Sequence, residues 1–441
     1  MEEPIIDKFH NMELKYKLFD LGVDVPYWDI VRYNVYIKYY YAPSSQIYLG
    51  HTIKHRIKDY FFYGIRFVIF IWRVYCHKYK YLFLTDSNKK LFSQDGYYYD
   101  PISYPLIKRY KDALILDNYF NGKAPYKKTF DFSNVFKRTS KDSVYPIDIF
   151  KVIEDALLDT FGEVRVNYSF INAIFKTYLN QYNFYMFVLK HVVPEKVVIA
   201  RGNPKGIIKA CKDCNIPCCL LQHESIEKDE INWSYPDGIT KSSNILFAPM
   251  VGTFGTYWLR NVNVPTKEIV PIGNDEKYKK LNVTEDGSLL VISSIIHCTE
   301  LKPLTKDLAI KRPDLIFIYK LHPDEFYMKE EVVDYFSGQT NVKVVSTEFS
   351  TQELIYRSRM VIAIVSACVY EALHAGKVVA IYKRLNYRRQ EYLLPNANLF
   401  FFDNPDEFFL DIDKEFVEMK ESFYMPFNSE NCNHLIEGTY R

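Results

Sequence analysis

KVVIARGNPKGIIKACKDCNIPCCLLQHES, residues 196–225, is the stretch whose reading decides the fold. Val197 to Ala200 form an unbroken apolar run closed by polar and turn-forming residues, which predicts a strand over 196–200 covered on both faces. Arg201 to Pro204 make the turn. Apolar residues at 207, 208, 210 and 211 then recur at helical spacing, so a helix is expected over 205–214. Asn215-Ile216-Pro217 stops it, because proline cannot continue a helix. A second strand, 218–221, ends at Gln222-His223-Glu224. Strand, helix, strand with no tight hairpin is a β-α-β unit, the repeat of a parallel sheet.

The same rhythm runs outward from this segment. Upstream, KYLFLTDS (80–87) and ALILDN (113–118) read as buried strands ending in polar turns, and 148–161 and 166–191 carry helical spacing. Downstream come strands at 245–249, 268–273, 289–294, 315–323, 342–346, 360–366 and 377–382, with helices expected at 252–260, 302–311, 351–358 and 368–375. Alternating buried strands and helices predict α/β architecture with parallel sheets. The expected organisation is an N-terminal domain over 1–243, a second over 244–400 and a helical tail over 401–441 packing back towards the first. The two Rossmann-like domains would face across a central cleft. Ligands in such sheets sit beyond the carboxyl ends of the strands, so residues just after strands are the ones to examine.

Composition narrows the function. At 441 residues the chain has room for two or three domains of ~100–200 residues. Its 56 basic and 54 acidic side chains balance, which argues against nucleic acid as a partner. Sixteen glycines are about half the ordinary ~7%, and neither G-x-G-x-x-G nor G-x-x-x-x-G-K-[ST] occurs. A phosphate site, if present, must then use helix starts in place of a glycine-rich loop. Tyr and Phe number 38 and 32, a total that a compositional bias of an AT-rich genome explains as well as function does, and Tyr clusters at 33–41 and 95–101 fall in the first half.

The charged N-terminus, MEEPIIDKFHNMELKYK, has no apolar core of a signal peptide, so a cytoplasmic location is expected. The eight cysteines then read as reduced thiols. Cys211-x-x-Cys214, with Cys218 and Cys219, reads as buried small hydrophobes better than as a zinc set, and His51 and His55 lack the Glu of a zinc helix. YFFYGIRFVIFIWRVY, residues 60–75, contains Arg66 and Arg73 and is shorter than the ~20 residues that span a bilayer. A buried helix of the N-terminal domain is the favoured reading; contact with a membrane surface, on the inner face of the cell membrane, is the other.

Four strand ends carry the chemistry. Lys320-Leu321-His322-Pro323 follows a strand, with Pro323 placed as a first helical residue, so free N–H groups, Lys320 and His322 could hold a phosphate. Ser366 follows another strand and opens a helix containing Glu371, a candidate partner for ribose hydroxyls; Gly376 reads as a C-cap. In the first half, Arg201-Gly202-Asn203-Pro204 and Gln222-His223-Glu224 close neighbouring strands. The candidates for a general base there are His223, Glu224, Glu227 and Asp237. Asp411-Ile412-Asp413 has D-x-D metal spacing but lies in an amphipathic segment and reads as surface.

Over roughly residues 196–400 the sequence resembles bacterial GT-B glycosyltransferases of capsule and lipooligosaccharide synthesis: capsular Kdo transferases, HP-motif sialyl- and polysialyltransferases and, more distantly, teichoic-acid glycerophosphotransferases. The resemblance rests on Gln222-His223-Glu224, Ile272-Gly273-Asn274, Lys320 to Pro323 and Ser366 to Lys377. It implies a metal-independent inverting transferase that needs no cofactor and takes a nucleotide-sugar donor, a CMP-sugar by preference, to a glycan or glycolipid acceptor. Lys320, His322, Pro323, Ser366, Glu371, Gly273 and Asn274 would bind the donor; Arg201, Asn203 and Gln222 would lie on the acceptor side; His223, Glu224 and His322 would be catalytic. Glu224 departs from the Gly of those families, which leaves open an added carboxylate or a degenerated site. Two alternatives share the frame. Nucleotide-sugar 2-epimerases would be expected to show Ser-Gly-Gly where this chain has Ser366-Ala367-Cys368. A non-catalytic glycan-binding scaffold is the third reading.

Overall fold

The apolar runs that lack alternation become strands buried on both faces. The computed structural model describes residues 3–22, 24–40, 57–86, 91–92, 98–100, 102–117, 129–135, 144–202, 204–239, 244–259, 263–394, 396–418 and 422–438. It forms two compact α/β units. One comprises Met1–Thr253, Leu259–Ile272 and Asn428–Arg441; the other comprises Phe254–Trp258 and Gly273–Phe427.

In the first unit, β1 (Tyr81–Thr85), β4 (Ala113–Asp117), β5 (Thr129–Phe130), β6 (Lys196–Ala200), β7 (Cys218–Leu221), β8 (Met250–Thr253) and β9 (Glu268–Pro271) form one sheet in the order β5-β4-β1-β6-β7-β8-β9. Every pairing is parallel, with Leu82 opposite both Leu114 and Val197. A small antiparallel pair, β2 (Leu91–Phe92) and β3 (Tyr98–Tyr99), stands apart. The helix Lys205–Cys214 has the bounds that its apolar spacing predicts. The long helix Tyr168–Val192 is capped by Asn167, whose Oδ1 accepts from the Phe170 N–H at 2.9 Å. Cys211, Cys218 and Cys219 are buried, and burial pushes the Cys219 thiol up to about 12.

In the second unit, β10 (Leu289–Ile292), β11 (Phe317–Lys320), β12 (Val342–Val345), β13 (Met360–Ala363), β14 (Val378–Tyr382) and β15 (Leu399–Phe402) pair in parallel in the order β12-β11-β10-β13-β14-β15. Leu289, Val291, Phe317, Tyr319, Ile362 and Ala380 supply the centre of its core. Numbered within each unit, both sheets run 3-2-1-4-5-6, with a seventh strand added in the first.

Several local expectations are corrected. The strand expected at 245–249 lies at Met250–Thr253: Asp29 takes the Leu246 N–H at 2.8 Å, and Met250 pairs with Cys219. The residues expected as a helix at 252–260 therefore hold a strand end and a 3₁₀ turn, Thr256–Leu259. The boundary expected near residue 243 falls between β7 and β8, which are hydrogen-bonded neighbours. Pro323 opens a six-residue 3₁₀ helix, Pro323–Met328, rather than an α-helix. LFFF at 399–402, where the helical tail was expected to begin, is an edge strand paired with β14. The segment 60–75 lies in a helix, Ile57–Cys76, that buries Phe70 and Val74 but leaves Val68 and Trp72 exposed, so it is not enclosed as expected. Among the described residues no helix is long and apolar enough to cross a membrane.

Candidate functional site

In the first unit the strands after β1 are added on one side, β4 then β5, and the chain then returns to place β6 on the other side of β1. A crevice opens beyond the carboxyl ends at such a reversal. A cleft of about 640 Å³ occupies this position. Asp86 follows β1 and Arg201 follows β6, and both line it with His223, Glu224, Lys205 and the rings of Tyr33, Tyr178 and Tyr185.

Arg201 is buried. Its Nη2 donates to the Asp131 carboxylate and to the Tyr185 hydroxyl, which itself donates to Asp131 at 2.8 Å. Burial opposes the guanidinium charge, and Tyr185 and Asp131 more than offset it, so Arg201 stays protonated. Its Nη1 is buried without a hydrogen-bond partner among the described residues. Lys205 is held by Asp29 at 2.9 Å and by the Leu246 carbonyl at 2.8 Å.

His223 and Glu224 sit at the end of β7, with His223 Nε2 3.3 Å from Glu224 Oε1. Glu224 Oε1 also accepts from Trp233 Nε1 at 3.1 Å. Trp233 is fixed from below: the buried pair Glu13–Arg32 sends Arg32 Nη1 to the Ile231 carbonyl (2.6 Å) and Nη2 to the Ser234 carbonyl (2.8 Å). An ion pair between the two N-terminal helices, Ile5–Lys15 and Tyr27–Tyr40, thus sets the loop that orients Glu224. Gln222 is buried beneath this turn and donates to the Glu224 carbonyl at 3.0 Å, which makes it a support for the turn. Asn203 lies outside the described residues. Glu227 is buried and Asp237 is exposed, and neither lines the cleft.

The second unit reverses at β10 in the same way, with β11 and β12 on one side and β13 on the other. β11 and β13 flank β10, so their loops leave the sheet roughly 10 Å apart, two strand spacings. His322 caps the 3₁₀ helix: its Nδ1 accepts from the Asp324 N–H at 3.2 Å, and its own N–H donates to Glu325 Oε2 at 2.8 Å. His322 Nδ1 also lies 3.3 Å from Asp324 Oδ2, and the side chain is 46% exposed. Glu325 is buried and accepts from Ser293 Oγ at 2.9 Å, tying the His322 turn to the end of β10. Burial pushes the Glu325 carboxyl up, partly countered by these donors.

The remaining expected donor residues have other partners. Lys320 is buried and donates to the carbonyls of Ser346 and Leu321, and burial lowers its pKa. Ser366 Oγ accepts from the Cys368 N–H at 3.1 Å, at the start of the helix Cys368–His374. Glu371 pairs with Lys277. Gly273, at φ +77°, and Asn274 lie where Met425 and Pro426 cross, and Asn274 donates to the Met425 carbonyl at 2.9 Å. The helix after β10, Cys298–Lys311, opens at the reversal point, and beside its start Ser294 Oγ and His297 Nδ1 are buried without partners among the described residues. Sequence reasoning missed Ser294 and His297, although the strand ending in Ile292-Ser293-Ser294 was the signal for them. Asp411 and Asp413 are exposed, and Asp413 pairs with Arg359 at 2.7 Å.

No family model matches the chain, and no curated protein matches its sequence. Among solved structures it is similar to the UDP-GlcNAc 2-epimerase of Methanocaldococcus jannaschii, at 10% identity and a TM-score of 0.45 over 80% of this chain and 96% of that one. It is similar also to the UDP-GlcNAc 2-epimerase of Neisseria meningitidis bound to UDP-GlcNAc, at 11% identity and a TM-score of 0.43 over 75% and 90%. MurG of Acinetobacter baumannii is a third, at 10% identity and 0.42 over 76% and 90%.

Proposed function

We propose that the chain is a nucleotide-sugar-dependent enzyme of GT-B type, and that it transfers a sugar to a hydroxyl acceptor bound in the first unit's cleft. The observation that carries this reading is the concentration of polar groups at one reversal point. Arg201, the His223–Glu224 pair and the exposed ring of Tyr33 line a single cleft of about 640 Å³ there, with Tyr178 and Tyr185 buried in its wall. Rings that stack on sugar faces and hydrogen-bonding groups that read hydroxyls are what a polyhydroxylated ligand requires. Glu224, oriented by Trp233 and His223, would take the acceptor proton. The freed oxygen attacks the anomeric carbon from the side opposite the leaving group, the bond from that carbon to the phosphate oxygen breaks, and its electron pair stays on the nucleotide. Inversion follows. Taken by itself, the second unit offers His322 and the start of the helix Cys298–Lys311 as groups suited to an anionic phosphate. The sugar, the nucleotide and a capsule or lipooligosaccharide acceptor follow only from the sequence resemblance, which favours CMP.

A second reading, 2-epimerisation of a nucleotide sugar, uses the same frame. It is supported by the His223–Glu224 pair, whose two groups could remove and return a proton at the epimerised carbon as well as activate a hydroxyl. One experiment separates the readings. The purified chain is incubated with CMP-, CDP-, UDP- and GDP-sugars, with and without a glycan acceptor pool. Nucleotide release that needs acceptor supports transfer; an isomerised donor formed without acceptor supports epimerisation; neither leaves a binding scaffold. Glu224→Gln should lower transfer about 10²–10⁴-fold, the usual worth of a positioned base, and unchanged turnover would refute its role.

A further inference from the structure

The helix Ile57–Cys76 has two unlike sides. One is packed: Phe70 stacks on Phe184 at 5.5 Å and lies 5.5 Å from Phe132, Val74 is buried, and Arg73 donates to Thr129 Oγ1 at 2.6 Å. The other side is apolar and open. Ile65, Val68, Trp72 and Tyr75 follow one another at spacings of three and four, a single helical stripe, and are 45%, 67%, 53% and 57% exposed. Phe67 and Ile69 widen it. Scattered surface hydrophobics need no explanation, but a contiguous stripe this rich in large side chains marks a surface that is covered in use.

The charge around the stripe identifies what covers it. From residue 60 to residue 85 the sequence carries Arg66, Arg73, Lys78 and Lys80, with His77, and no carboxylate, although Arg73 belongs to the packed side and Lys80 pairs with Glu195 at 3.5 Å. His77 and Lys78 are exposed just past the end of the helix, and Trp72 lies against His77 at 4.4 Å. Lys190 and His191 reach the same end, where Tyr75 meets His191 at 4.6 Å. Apolar side chains with Trp and Tyr among them, bordered at one end by His77, Lys78, Lys190 and His191, match the boundary between acyl chains and anionic headgroups. The packed side prevents the helix from being immersed all round, so it must lie in the plane of that boundary.

We infer that the face Ile65–Val68–Trp72–Tyr75 seats the protein on an anionic membrane surface. The acceptor or donor would then be met at that surface, although the inference stands independently of the proposed reaction. Trp72 makes it directly measurable. Of the four tryptophans, Trp28, Trp233 and Trp258 are at most 2% exposed, so a change in indole environment on binding reports Trp72 alone. The full chain is mixed with vesicles of phosphatidylcholine containing phosphatidylglycerol, and with vesicles of phosphatidylcholine alone. Co-sedimentation with the anionic vesicles, a blue shift and quenching by brominated lipid are expected, with binding about tenfold or more weaker to the neutral vesicles. Val68→Glu with Trp72→Glu should lower binding by a further order of magnitude or so at unchanged far-ultraviolet circular dichroism. Lys78→Glu should weaken binding and flatten its salt dependence. Absence of co-sedimentation, equal binding to both vesicle types, or an unaffected double variant would overturn the inference. So would a dimer seen by light scattering that the double variant dissociates without any vesicle binding, since a second copy would then be the occupant.

Discussion

Replacing Asp131 by Asn tests the electrostatic foundation of the first unit's cleft. Asp131 is fully buried at the carboxyl end of β5, accepts from the Tyr185 hydroxyl at 2.8 Å and from the Ser133 N–H at 2.8 Å, and carries the charge that faces Arg201. Asn keeps the shape and most of the hydrogen bonds but removes the charge. Arg201 cannot escape by losing its proton, since a guanidinium stays charged throughout the accessible range, and at 9% exposure it cannot swing into water. Breaking a buried pair from one side costs about 3–5 kcal/mol, because the surviving charge is left uncompensated. Asp86, which also favours the Arg201 charge, offsets a part, so about 3 kcal/mol is the expected loss. Removing both charges, with Asp131→Asn and Arg201→Gln together, should cost less than Asp131→Asn alone. The assay is urea unfolding followed by circular dichroism, with midpoints compared at unchanged m-value. A loss under about 1 kcal/mol for Asp131→Asn, or a double variant as unstable as the sum of the single ones, would mean that the pair is solvated and the cleft is not built on it.

Two further predictions concern residues outside the cleft. Burial, reinforced by Arg32, lowers the His10 pKa from 6.5 to about 3; a depressed folded value means that His10 contributes stability above pH 6.5 that is lost as pH falls towards 3, and His10→Gln should remove that part of the acid sensitivity in melting temperatures taken across the range. Gly273→Ala should destabilise the second unit by about 1–3 kcal/mol or more, since the added carbon would stand 2.0 Å from the Pro426 carbonyl oxygen at φ +77°; a thermal melt that matches the parent would show that the crossing at 425–426 yields easily.

The fold was legible because its strands are short, continuous and buried on both faces, so their ends coincide with changes in composition. Cys218-Cys219-Leu220-Leu221 and Val378 to Tyr382 could be bounded to within a residue from their apolar runs. Where the signal failed, a long-range partner had intervened. Ile245 to Pro249 is as apolar as a strand, but Asp29, more than 200 residues earlier, takes the Leu246 N–H, and the ladder begins only at Met250. LFFF at 399–402 is too short and too aromatic to distinguish an edge strand from the first turn of a helix by periodicity alone.

The site was legible to a lesser degree, for a reason visible in its chemistry. Motif reading selects residues by type and by place after a strand, which picks out Arg201, His223 and Glu224, all lining one cleft, and His322, at a helix start. It cannot tell which polar side chains are spent on the protein itself. Lys320 and Glu371 have the right type and place, yet the first donates to two backbone carbonyls and the second faces Lys277. The same reading passes over Asp131, Tyr185 and His297. Asp131 follows a two-residue strand, Tyr185 sits mid-helix, and His297 precedes a helix that starts four residues before its apolar spacing suggests. What unites the residues lining the first cleft is the order of strands, β1 beside β6, and that order is set by long-range pairing. Asp86 and Arg201 are 115 positions apart in the chain and line one crevice because Thr85 pairs with Ala200. Strand ends alone supply the candidates; the reversal of strand order selects among them, and it is the same selection in both units.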